Sequence, residues 1–91
     1  MRRVHVIVTG SVQGVGYRYT ARMIAHEVGV TGWVRNRRDG SVEAEIEGTP
    51  DQVDEMLAWM AEGPPGSRVE SARVTDAAPT AGRGFEVRPT A

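Results

Sequence analysis

The 91-residue sequence predicts an α+β sandwich, one antiparallel sheet with two helices over one face, and three observations predict it. Hydrophobic periodicity switches between two residues and about 3.6 residues in the order βαββαβ. The strand segments alternate apolar and polar residues, so each offers one dry face and one wet face to a sheet covered on one side. Glycine and proline punctuate these segments instead of interrupting them. At this length a single domain, residues 1–91, is expected, with roughly 60–65% of its unfolded surface buried and no need of staples.

The first strand is "VHVIVT" (4–9), where Val4, Val6 and Val8 alternate with His5, Ile7 and Thr9. From Tyr17 the period changes: Ala21, Ile24, Ala25 and Val28 fall three and four apart, which predicts an amphipathic helix closed by Gly29. "VTGWVRN" (30–36) is the second strand, and "RRDG" (37–40) turns the chain into the third, "SVEAEIEG" (41–48). There Val42, Ala44 and Ile46 face inward, and Ser41, Glu43, Glu45 and Glu47 face outward. "TPDQ" (49–52) starts a second helix, with Thr49 as N-cap, Pro50 in the first helical position and Gln52 closing a capping box. Val53, Met56, Leu57 and Met60 are its apolar stripe, and it stops at Gly63. A fourth strand covers 68–76, where the opposite parity of Val69 and Val74 calls for a bulge or a late start. Phe85 and Val87 mark a short closing strand.

This order is the ferredoxin-like arrangement, with spatial strand order 4-1-3-2 and a short fifth strand added. Strands 1 and 2 then run the same way with strand 3 between them. The loop after strand 1 and the turn after strand 2 therefore emerge at one end of the sheet. At ~4.8 Å per strand they lie roughly 10 Å apart, within reach of an arginine side chain.

Composition removes several kinds of chemistry. Cysteine is absent, which excludes disulfides, thiolate catalysis and sulfur-based zinc sites. His5 and His26 are too few and too distant to form a metal cluster. All eleven basic residues are arginine, which excludes lysine chemistry. The net charge of −1 sets up no field for nucleic acid or a membrane. No apolar run approaches a membrane span, and the "MRRV" start leads into alternation and not into a signal peptide, so a cytoplasmic location is expected.

The stretch with most chemical meaning is "GSVQGVGYR" (10–18), three glycines between a strand and a helix, ending in Arg18. A plain connection with a solvated arginine is the ordinary reading. Arginine is poorly placed in a first helical turn, however, because the helix dipole favours anions there. A strand, a glycine loop and a helix N-terminus together form a concavity of N–H groups that holds phosphate, and a guanidinium adds a planar donor fork. Nucleotide versions do not fit: a Walker loop needs lysine before Ser or Thr, and a dinucleotide fingerprint needs glycine where Tyr19 stands.

"VTGSVQGVGYR" followed by "GWVRNRRDGSVEAEIEG" resembles the paired signatures of the acylphosphatase family, small α/β-sandwich enzymes that hydrolyse the carboxyl-phosphate bond. The resemblance runs over essentially the whole chain, including "GFEVRP" near the end. It places the family's phosphate-binding arginine at Arg18 and its water-orienting asparagine at Asn36. The backbone cradle falls on Val15, Gly16, Tyr17 and Arg18, with Gly10, Gln13 and Gly14 shaping the loop. One departure is Tyr17, where the family usually has phenylalanine; its hydroxyl needs solvent or a partner. Read alone, Asn36 would be an ordinary turn residue.

Two residues suffice for this chemistry. The leaving group is a carboxylate whose conjugate acid has a pKa of about 4, so no general acid is needed. Positioning and charge stabilisation dominate a loose phosphoryl transfer. Neither Arg18 nor Asn36 is a base, so the water's proton goes to the substrate's own phosphate oxygen. No metal or other cofactor is expected, and inorganic phosphate should act as a product inhibitor. Arg35, Arg37 and Arg38 flank Asn36, either steering dianions or standing as solvated charge. RNA-recognition modules share the element order, but they need aromatics on strands 1 and 3, and the glutamate row of strand 3 would repel phosphates. A non-catalytic sandwich domain, binding a small anion or regulating another protein, would need neither Arg18 nor Asn36. A carbamoyl phosphate-handling piece of a larger maturation enzyme would require further domains. A free-standing monomeric enzyme with no nucleic-acid or membrane partner is the expectation.

Overall fold

In the computed structural model, which describes Met1–Ala91, the chain runs β1 (Arg2–Ser11), α1 (Tyr17–Val28), β2 (Thr31–Asn36), β3 (Val42–Gly48), α2 (Pro50–Glu62), β4 (Arg68–Ala77) and β5 (Phe85–Val87). The sheet order is β4-β1-β3-β2-β5. The four long strands pair antiparallel, as expected, with Val4 opposite Ile46 and Val34 opposite Ala44. β5 lies parallel to β2, with Gly32 opposite Phe85, so the complete sheet is mixed. Its direction follows from the route: the chain leaves β4 at one edge, crosses 78–84, and returns along the far edge.

Alternation in the strands sorts the two sheet faces. Val4, Val6, Val8, Val42, Ala44 and Ile46 are fully buried beneath the helices, together with Ala21 and Ala25 of α1 and Val53, Met56 and Met60 of α2. Leu57 and Ile24 pack at the margin of this core. β2 begins at Thr31 because Val30 belongs to the helix close, where both the Gly29 and Val30 N–H groups donate to the Ala25 carbonyl. β3 begins at Val42 because Asp39 Oδ1 accepts the Ser41 N–H at 2.9 Å, holding Ser41 in the turn. The parity clash in β4 is a bulge. Thr9 pairs with Ser71 and Gly10 with Val69, leaving Glu70 unpaired.

The outward face of β3 differs from expectation. Ser41 and Glu47 are buried, at 4% and 2% exposure. Arg3 donates to Glu45 and Glu47, and the crossing segment closes over Glu47, which accepts the N–H groups of Thr80 and Ala81 at 2.8 and 3.0 Å. Glu43 accepts from Arg35 Nε and hydrogen-bonds His5 Nε2, each at 2.7 Å. The glutamate row is thus engaged by Arg3 and Arg35, with His5 hydrogen-bonded to it, and charge repulsion is not what distinguishes this face from an RNA-binding sheet. The difference is that no aromatic is exposed on it. Trp33 is 7% exposed, with the Arg35 and Arg88 guanidiniums each 4.8 Å from its ring centre.

Candidate active site

Beyond Ser11 the chain turns into α1 through Gly14 and Gly16, both at positive φ (74° and 77°). Gly16 is the N-cap in the left-handed region, which costs a non-glycine residue roughly 1–2 kcal/mol. Being glycine, it supplies no side-chain cap, and the first turn contains no acidic residue. α2 is built the opposite way: Thr49 Oγ1 accepts the Gln52 N–H, Gln52 Oε1 accepts the Thr49 N–H, and Asp51 adds negative charge. At α1 the N–H groups of Val15, Gly16, Tyr17 and Arg18 donate to no acceptor in the chain. Successive open donors at the positive end of a helix dipole are a ready anion site.

The loop is fixed to its surroundings at both ends. Val12 is fully buried, and Val15 packs against the core. Gly10 sits within β1 against the bulge. A Cβ there would meet the Arg68 carbonyl at 2.1 Å, so only glycine permits this approach. Gln13 spans the gap between the two segments: its Nε2 donates to the carbonyls of Arg37 and Ser41, at 2.7 and 2.9 Å. The glycine loop is thereby joined directly to the turn that follows Asn36.

Asn36 ends β2. Its Oδ1 is buried and has no hydrogen-bond partner, a condition that costs about 1–3 kcal/mol and rarely persists without a ligand or water to relieve it. No hydrogen bond joins Asn36 to Arg18. The Arg18 guanidinium forms no ion pair and lies 5.6 Å from the Tyr19 ring centre. Of the arginines around Asn36, Arg35 is committed to Glu43 and Trp33, Arg37 is 3.9 Å from Asp39, and Arg38 has no carboxylate partner. Asp39 is the carboxylate of this turn. Hydrogen bonds from the Ser41 hydroxyl and N–H hold its carboxyl below the ordinary range, so it shapes the turn and is a poor base. Glu43 is also held low: burial opposes its charge, but hydrogen bonds from His5 and Arg35 outweigh that effect.

Two features escape sequence reasoning. Residues after β5 continue along β2, with the Arg88 N–H donating to Val34, the Ala91 N–H to the Asn36 carbonyl, and the Arg38 N–H to Ala91. The Asn36 backbone is thus held by a segment whose only sequence sign is the short alternation around Phe85. Tyr17 finds its partner inside the fold: its hydroxyl donates to the Met60 carbonyl at 2.7 Å. The surface cavities, the largest about 540 Å³, are lined by neither Arg18 nor Asn36.

A family model described as acylphosphatase matches residues 4–87. An acylphosphatase from Bordetella parapertussis is 61% identical over 69 residues, covering 76% of this chain and 73% of its own. One from Trichormus variabilis is 52% identical over 86 residues, covering 94% and 85%. The crystal structure of acylphosphatase from Bacillus subtilis superposes with a TM-score of 0.92 at 36% identity, over 97% of this chain and 99% of that one.

Proposed function

The chain belongs to the acylphosphatase family and hydrolyses acyl phosphates, and from that premise we propose how its residues divide the reaction. The phosphoryl group sits on the N–H groups of Val15, Gly16, Tyr17 and Arg18, with the Arg18 guanidinium turning from Tyr19 to grip its oxygens. The open N-terminus of α1 carries this assignment: four donors without acceptors, no acidic neighbour, and an arginine in the first turn. The Asn36 side chain holds the attacking water, which relieves its stranded oxygen.

Water attacks phosphorus, the bond from phosphorus to the acyl oxygen breaks, and its electron pair leaves with the carboxylate. One proton of the water passes to a phosphate oxygen and the other stays on the new P–OH group. The products are a carboxylate and dihydrogen phosphate. Arg18 and the helix end offset charge as it spreads over the phosphoryl oxygens, which is the main requirement of a loose transition state. Gln13 keeps the cradle and the Asn36 turn in one rigid frame, as near-attack geometry demands. A single domain over residues 1–91, acting as a monomer without nucleic acid or membrane, belongs to the same reading.

The test is steady-state turnover of an acyl phosphate, with inorganic phosphate titrated as inhibitor. Competitive inhibition and a phosphate-dependent rise in Tm are expected. Non-competitive inhibition would place the phosphate elsewhere.

A further inference from the structure

On the solvent side of α1, Arg18 and Arg22 stack on the same ring. Each guanidinium carbon lies 5.6 Å from the centre of Tyr19. Neither arginine has a carboxylate partner, a state they share with Arg38, Arg68, Arg73 and Arg83, but of these only Arg18 and Arg22 share an aromatic ring. Tyr19 is 59% exposed and Met23, one turn later, is 55% exposed. A solvent-facing helix flank ordinarily carries polar residues, so an uncovered aromatic and thioether beside two unpaired cations stand out. Helical side chains lean toward the N-terminus, and Arg22 follows Tyr19 by three residues. Its head is therefore carried back toward the first turn, onto the face of the Tyr19 ring.

We propose that Tyr19, Arg22 and Met23 form the subsite for the acyl group, and that it selects acyl phosphates whose short chain ends in a second carboxylate. This rests on the phosphoryl group occupying the α1 N-terminus. In-line displacement sets the leaving acyl group opposite the attacking water. The water is held at the buried Asn36 oxygen, so the acyl group points outward to solvent, where Tyr19 and Arg22 stand. Once Arg18 turns to the phosphoryl group, Arg22 is the free cation left on the ring. Its planar fork matches a carboxylate, while the Tyr19 face and Met23 cover the intervening methylenes.

The test compares succinyl phosphate with butyryl phosphate, which has the same chain length but a methyl end. The parent should favour succinyl phosphate in kcat/KM. Arg22→Gln should reduce that preference about two- to fivefold, the scale of one ion pair at an exposed site, with the change in the succinyl phosphate KM. Arg73→Gln, which removes an equal charge from the exposed strand β4, should leave the ratio unchanged. An equal loss in Arg73→Gln would show a general field effect and overturn the subsite. So would a parent that turns over both compounds without preference. If Arg18→Ala kept full activity on both, the phosphoryl site itself would be misplaced and this subsite would fall with it.

Discussion

Replacing Tyr17 with phenylalanine removes one atom from the frame that holds the cradle. Its hydroxyl donates to the Met60 carbonyl in the last turn of α2, and Tyr17 is only 2% exposed. The regular helical donor to that carbonyl would be the N–H four residues on, but residue 64 is proline and has none. The tyrosine thus fills a place that α2 cannot fill itself. Phenylalanine keeps the ring against Trp59, 5.3 Å between centres, so the perturbation reduces to a stranded buried carbonyl. The expected loss is about 1–3 kcal/mol, with each kcal/mol lowering Tm by roughly 4–8 °C in a domain of this size. Burial pushes the Tyr17 phenol far above its ordinary value of 10.0, which adds a pH signature. The unfolded chain ionises near pH 10 and the folded one resists, so the tyrosine's contribution is complete below that pH and fades as pH rises above it. The gap between parent and variant should therefore narrow in alkali. Urea unfolding followed by tryptophan fluorescence at pH 7 and pH 11 reads both effects. Equal midpoints at pH 7, or a gap that widens at pH 11, would refute the reasoning.

Gly10→Ala should destabilise by about 2–4 kcal/mol, because its Cβ would strike the Arg68 carbonyl at 2.1 Å; Gly14→Ala, with positive φ but open space, should lose only about 1–2 kcal/mol, and thermal melts separate them. Hydrogen bonds from the Thr80 N–H, Arg3 and the Ala81 N–H, opposed by burial, keep the Glu47 carboxyl below its ordinary value, so its contribution is complete above about pH 4.5 and disappears as pH falls through the folded value. Acid unfolding should accordingly differ little between parent and Glu47→Gln at the most acidic pH, with the variant weaker near neutrality. No group of three His, Asp or Glu residues is placed to hold a metal ion, so turnover should survive EDTA; loss restored by a divalent cation would contradict the two-residue mechanism.

The long-range order of this fold was legible because each element announces itself locally. The Thr49–Gln52 capping box, the Gly29 close and the Val4–Val8 alternation all occur where the sequence requires them. Even the bulge was visible, in the parity of Val69 and Val74. What stayed hidden depends on pairing between distant segments. The burial of Glu47 follows from the 78–84 crossing, which has no periodicity to read. The parallel placement of β5, and the contact of Ala91 with Asn36, arise from an edge that only the assembled sheet exposes. At the site, the glycine loop and Arg18 could be read from the conflict between arginine and the helix dipole. Gln13 could be named as a loop residue, but its grip on the Arg37 and Ser41 carbonyls appears only when the two strand ends meet. Tyr19 and Arg22 carried no motif, since a helix period cannot tell a covered face from an uncovered one.

The central claim is that Arg18 holds the phosphoryl group while Asn36 holds the water, and the two alanine variants separate these roles. Each would be examined by initial-rate kinetics and by calorimetric titration with inorganic phosphate. Asn36→Ala should lower kcat by roughly 10²-fold or more, about 2.7 kcal/mol, and leave phosphate affinity within a few-fold of the parent. Arg18→Ala should weaken phosphate binding and nearly abolish turnover, with Arg18→Lys a poor rescue because a point charge lacks the fork. If Asn36→Ala lost phosphate binding yet kept kcat, the roles assigned to the two residues would be contradicted.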